Sequence, residues 1–142
     1  MKLLFKPVRI QARGFGFTVD RQTVAVITNE REMKDFYQVE DWYPRLDFRR
    51  YILLGIHRGW CDSGGHSIDV EQIECCGNQV IVRCRCTDHR PEDLVTLVAT
   101  NPQQMILIER SGLPRSGKLK FVLVDQNGKA LAEREAVVQP VG

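Results

Sequence analysis

The segment Tyr51-Ile-Leu-Leu-Gly-Ile56 constrains the fold more than any other part of this chain. It is almost continuously apolar, too short for a typical globular helix and without a polar face, so it suits a strand covered on both sides. A polar link follows, Gly59-Trp-Cys-Asp-Ser-Gly-Gly-His-Ser67, and then the partly alternating run Ser67–Ile73. Two runs of strand character joined through Gly64-Gly65 imply a sharp turn that presents backbone N–H groups at the surface.

The rest of the chain repeats this β character. Thr23-Val-Ala-Val-Ile-Thr28 is rich in β-branched residues, as strands are. Residues 3–12 and 15–27 form short mixed runs around Gly14 and Gly16, which predicts a hairpin or bent strand pair. Val80-Ile-Val-Arg-Cys-Arg-Cys86 has period two, with Val80, Val82, Cys84 and Cys86 on one face and Arg83 and Arg85 on the other. Gly77-Asn78 is a plausible turn before it. Leu94–Thr100 and Met105–Glu109 read as further strands around Asn101-Pro102. Lys118–Asp125 and Ala130–Val138 read as a closing hairpin through Gln126-Asn-Gly-Lys129.

One helix is expected, over about residues 30–42. Asn29 suits the N-cap, and Glu32 lies three residues on, as in a capping box. Met33, Phe36 and Tyr37 give it an apolar face, and Pro44 disfavours continuation beyond about Trp42. With about eight or nine strands, the fold class is mainly β: a mostly antiparallel β sandwich or partly open barrel with one short helix. The length of 142 residues suits a single domain over residues 1–142.

Composition narrows the function classes. Twenty Lys and Arg against eighteen Asp and Glu give a net charge of +2 with no basic stripe, which argues against a nucleic-acid partner. No stretch approaches the roughly 20 apolar residues that cross a bilayer, and the first residues lack the apolar core of a signal peptide. Five cysteines, at positions 61, 75, 76, 84 and 86, cannot all pair within one chain. Free thiols fit a reducing, cytoplasmic setting. No cofactor signature is present.

Pro44-Arg-Leu-Asp-Phe48, the apolar strand after it, and Gly59-x-x-x-Ser63-Gly64-Gly65-x-Ser67-Ile68 resemble the C-terminal domain of the PrcB family, named for a subunit of a bacterial protease complex. The later strands around Asn101-Pro102 and the final hairpin extend the resemblance over roughly residues 20–135. His66 stands where that family usually has Tyr. The resemblance implies a non-enzymatic accessory domain that stabilises or associates with a protease or another partner protein.

Within that reading the partner-binding loop comprises Gly59, Trp60, Ser63, Gly64, Gly65 and His66, with Trp60 as an aromatic anchor and Trp42 and Tyr43 as neighbours. The bland alternative is a tight connector whose glycines serve only the turn. Asp47-Phe48 reads as a structural element that ties down a loop. A rival reading is a zinc-binding or redox-responsive thiol protein using Cys84, Cys86 and His89, although no second ligand pair falls at a standard spacing. A thiol hydrolase with Cys61 as nucleophile and His57 or His66 as base is a third. Ser63 lacks the Gly-x-Ser-x-Gly context of a hydrolase elbow, and Gly112–Lys118 lacks Walker spacing. Exposed edge strands would allow a homo-oligomer.

Overall fold

The apolar run becomes the central strand of a sheet buried on both faces. The computed structural model describes residues 1–14, 17–115 and 117–138. In it β5 (Tyr51–His57) pairs antiparallel with β3 (Thr23–Ile27) on one side and with β8 (Gln103–Glu109) on the other. β1 (Phe5–Pro7) adds beyond β8. Ile52, Leu54 and Ile56 enter one core with Val24, Val26, Ile106 and Ile108, while Leu53 enters a second core with Ile27, Met105 and Leu107. Burial on both faces removes any selection for polar alternation, which explains the unbroken apolar run.

A second sheet covers the first core. Its order is β10 (Ala130–Val138), β9 (Gly117–Val124), β7 (Gln79–Thr87) and β6 (Ser67–Cys76). Val80, Val82 and Cys84 point inward beside Phe121 and Leu123, and Arg83 and Arg85 point out, as the period-two pattern requires. The outer face carries cross-strand ion pairs, Arg83–Glu74, Arg85–Glu71, Lys118–Glu135 and Lys120–Glu133. Exposed pairs of this kind contribute at most about 1 kcal/mol each, so this sheet is held by its inner face. β7 and β9 are parallel, and the long crossover that a parallel pair needs is supplied by residues 88–116, which include β8. The two sheets form a β sandwich.

A third layer covers the second core. It consists of α1 (Glu30–Tyr37) and a ribbon of β2 (Gln11–Gly14) with β4 (Val39–Tyr43). The Glu32 N–H donates to Asn29 Oδ1 at 2.8 Å, and Glu32 Oε1 accepts from the Thr28 N–H at 3.0 Å. The cap is therefore formed, with the glutamate reaching one residue further back than a standard capping box.

The helix is shorter than the expected 30–42. It stops at Gln38, whose left-handed φ of 56° lets its N–H close on the Lys34 carbonyl. Residues 39–43 then pair with β2, and the register shift that sets Arg13 opposite Asp41 but Gly14 opposite Val39 leaves Glu40 bulged. The bulge turns Val39 and Trp42 to the same side. Trp42 is thus a core residue, with its side chain buried in the second core.

Other expectations are also corrected. The N-terminal hairpin does not form: β1 joins β8, β2 joins β4 and β3 joins β5. Gly16 lies outside the described residues. Leu94–Thr100 is not a strand: among the described residues its backbone meets the rest of the fold only through a bridge from Thr100 to Cys61 and a bond from the Gly64 N–H to the Thr96 carbonyl. Ten strands are present among the described residues, against the eight or nine expected. The closing hairpin forms as expected, with its turn widened to Asp125–Lys129 and Gly128 at φ 79°.

The N-terminal segment joins the two sheets. Leu3 N–H donates to the Ile73 carbonyl and Cys75 N–H to the Met1 carbonyl, both at 2.8 Å, before Phe5–Pro7 pairs with β8. The segment thereby covers the free edges of β6 and β8, while β10 packs against β3 on the opposite side. Covered edges discourage strand-to-strand association. Among the described residues no helix is long and apolar enough to cross a membrane.

Candidate functional site

Two crossovers between the sheets meet at one end of the sandwich. The first, residues 58–66, runs from β5 to β6, and the second, residues 88–102, runs from β7 back to β8. Ser67 and Thr87 are cross-strand partners, so His66, just before β6, lies beside Asp88, just after β7. The register of the β6–β7 ladder therefore places these two side chains together.

His66 Nδ1 lies 2.8 Å from Asp88 Oδ1, and His66 Nε2 lies 3.2 Å from Ser63 Oγ. His89 Nε2 approaches the same hydroxyl at 3.3 Å, with its Nδ1 3.1 Å from the Arg90 carbonyl. Arg58 binds Asp88 through Nη2, and through Nη1 donates to the Ser67 and Thr87 carbonyls at 3.0 and 2.8 Å. Hydrogen bonds from His66 first and Arg58 second hold the Asp88 carboxyl below its usual range, so it is an acceptor near neutral pH. A carboxylate and a carbonyl can only accept, so both histidines carry a proton on Nδ1; the single Ser63 O–H faces both Nε2 atoms and also the Gly64 carbonyl at 3.2 Å, and donates to one of them at a time.

Gly64 and Gly65 make this clustering sterically feasible. A Cβ at Gly64 would come within 2.5 Å of Thr96 Oγ1, and one at Gly65 within 2.7 Å of His89 Cβ. Gly65 also has φ 82°. The glycines thus turn the backbone and let the second crossover press onto the first. Thr100 Oγ1 donates to the Ser63 carbonyl at 2.8 Å and completes the clamp.

The six loop residues named from the sequence separate into two groups. Ser63 and His66 belong to the polar cluster, with Gly64 and Gly65 as their scaffold. Gly59 and Trp60 turn towards residues 20–21: a Cβ at Gly59 would meet the Arg21 backbone at 2.9 Å, and Trp60 Nε1 donates to Asp20 Oδ1 at 3.3 Å. Trp60 remains 53% exposed. Asp88 and Arg58 escaped sequence reasoning because no local spacing links them to Ser63. The Ser63–His66 spacing in a tight loop was the available signal.

The thiol readings gain no geometry. Burial pushes the Cys84 thiol up to about 12 and also raises Cys86, so both favour the neutral thiol over the thiolate that metals and electrophiles require. His89 is engaged with Ser63 and Arg90. Among the described residues no group of three or more His, Cys, Asp or Glu side chains is arranged to hold a metal ion. Both bases predicted for Cys61 are engaged elsewhere: His66 contacts Ser63 and Asp88, and His57 is buried under α1 with its Nε2 2.6 Å from Tyr37 Oη. Asp47 does tie down its loop, accepting the Arg49 N–H at 3.0 Å on Oδ1 and the Tyr51 N–H at 2.9 Å on its carbonyl.

The second crossover also displays large apolar side chains. Leu94 is fully exposed, Leu97 is 90% exposed and Val98 is 69% exposed, within five residues of one another. No family model, curated protein or solved structure matches this chain.

Proposed function

We propose that the chain is a protein-binding accessory domain that contacts its partner through the crossover end of the sandwich, with Trp60, Leu94, Leu97 and Val98 as the contact residues. The observation that carries this reading is the exposure of Leu94, Leu97 and Val98 on a segment without strand or helix. A soluble fold with two filled cores gains nothing from apolar side chains held in water, whereas an interface does. Pinning residues 96 and 100 onto the first crossover fixes the base of the segment and so reduces the entropy lost on binding. A near-neutral chain with an apolar contact segment fits an apolar surface on another protein. A protease complex is the partner class that the PrcB resemblance suggests.

The test compares stoichiometric co-purification from the native host for the wild type, Trp60→Ala, and the triple variant Leu94→Ser, Leu97→Ser, Val98→Ser, with thermal midpoints measured alongside. The reading expects the partner to be lost in the triple variant and weakened in Trp60→Ala, with midpoints nearly unchanged. Equal recovery by all three proteins would refute it. So would sedimentation of the purified wild type as a dimer that the triple variant abolishes, because the partner would then be a second copy.

A further inference from the structure

We propose that Ser63 is an activated nucleophile that accepts an acyl group from an activated carboxylic ester. The arrangement meets the geometric definition of a nucleophile–base–orienter set: Ser63 Oγ to His66 Nε2 at 3.2 Å, then His66 Nδ1 to Asp88 Oδ1 at 2.8 Å. Such sets are recognised by roles and distances, independently of a surrounding sequence motif. Asp88 fixes the tautomer that leaves Nε2 free to take a proton, and its charge stabilises the imidazolium that forms. Arg58, anchored to two strand-end carbonyls, holds the carboxylate in place.

In the acylation step the Ser63 Oγ–H adds to the ester carbonyl carbon and its proton passes to His66 Nε2. The carbonyl then re-forms, the bond to the alkoxide or phenolate leaving group breaks, and the leaving oxygen takes the proton back from His66. No electron acceptor or donor is needed. His89 Nε2 also faces the hydroxyl, at 3.3 Å, but has a backbone carbonyl behind it in place of a carboxylate. It has no carboxylate to orient it and stabilise an imidazolium, so His66 carries the step.

The surroundings limit the reaction. Ser63 is 8% exposed beneath the second crossover, so only a slim acyl group reaches it. The Gly64 N–H, the next backbone donor along the chain, is already bound to the Thr96 carbonyl at 2.9 Å and does not serve a developing oxyanion. Ser63 is accordingly expected to acylate and to release its acyl group slowly.

The probe is p-nitrophenyl acetate, with release of p-nitrophenol followed by absorbance and the acetyl group located by peptide mass spectrometry. The folded wild type is expected to release a burst of nitrophenol and carry the acetyl group on Ser63. Ser63→Ala should lose that peptide's modification, and His66→Gln should slow acylation about a hundredfold or more, the range for loss of a general base. His89→Gln should have a much smaller effect. Asp88→Asn tests a positioning role: the acylation rate falls and its pH profile shifts, whereas a purely structural role would lower the thermal midpoint and leave the profile in place. Unfolding the wild type in urea should abolish Ser63 acetylation, a control that needs no variant to fold. Acetyl groups confined to lysines or cysteines, equal Ser63 labelling in the folded and urea-unfolded chain, or an unchanged rate in a folded His66→Gln protein would each overturn the proposal.

Discussion

Acidification probes the buried Tyr37–His57 pair, whose energetics follow from its position between α1 and the central sheet. The His57 ring is fully buried, its Nε2 meets Tyr37 Oη at 2.6 Å, and its Nδ1 has no hydrogen-bond partner among the described residues. Burial lowers its pKa from 6.5 to about 4 and raises that of Tyr37, so the pair is neutral throughout the physiological range. The unfolded chain binds a proton on this imidazole below pH 6.5 that the fold resists. His57 therefore leaves stability intact above about pH 6.5 and reduces it as pH falls towards 4. The loss is about 2 kcal/mol at pH 5 and about 3 kcal/mol at pH 4. Urea midpoints for the wild type and His57→Gln at pH 7 and pH 5 measure it, because carboxylates common to both proteins cancel in the difference. The wild type should lose about 2 kcal/mol more than the variant between these two values. NMR titration of the wild-type imidazole provides a check without mutation, with a midpoint well below 6.5 expected. Equal losses in the two proteins, or a midpoint near 6.5, would refute the reasoning.

Three further outcomes follow from the packing. Gly55→Ala places a Cβ 1.8 Å from Tyr37 Oη and 2.8 Å from His57 Nε2, so it should destabilise the fold by about 3 kcal/mol, and adding Tyr37→Phe should restore part of that in thermal melts. Phe121→Ala empties the centre of the first core and should cost about 3–5 kcal/mol in denaturant unfolding, with an unchanged m-value. Iodoacetamide on the folded protein should modify exposed Cys76 early and buried Cys84 last, and urea should erase that order, as read by peptide mass spectrometry.

The limits of sequence reading are clearest at Val39 and Trp42. The expected end of the helix near Trp42 rested on Pro44, and the spacing of three between these two apolar residues does not contradict a helix. A bulge at Glu40 produces the same spacing in a strand, and bulges leave no local signature strong enough to compete. Leu94–Thr100 misled in the opposite direction. Its apolar content resembles a strand, yet among the described residues its backbone bonds are limited to those at Thr96 and Thr100, and its large side chains face water. The loop around Gly64-Gly65 was legible as a turn because positive φ and close approach favour glycine. The cluster around Ser63 was legible only in half, since His66 is near in sequence and Asp88 is 22 residues away.

Sequence alone determined which strands are amphipathic, which one is buried twice, where α1 starts and where the last hairpin turns. Each of these depends on interactions between residues a few positions apart or on burial that every side chain of a segment shares. Tertiary structure decided strand order, the parallel β7–β9 pair, the closure of the sandwich by the first seven residues, and the meeting of Ser63, His66, Asp88 and Arg58. Those outcomes depend on long-range pairing register, and a two-residue periodicity fixes which face a side chain occupies without fixing which partner it meets.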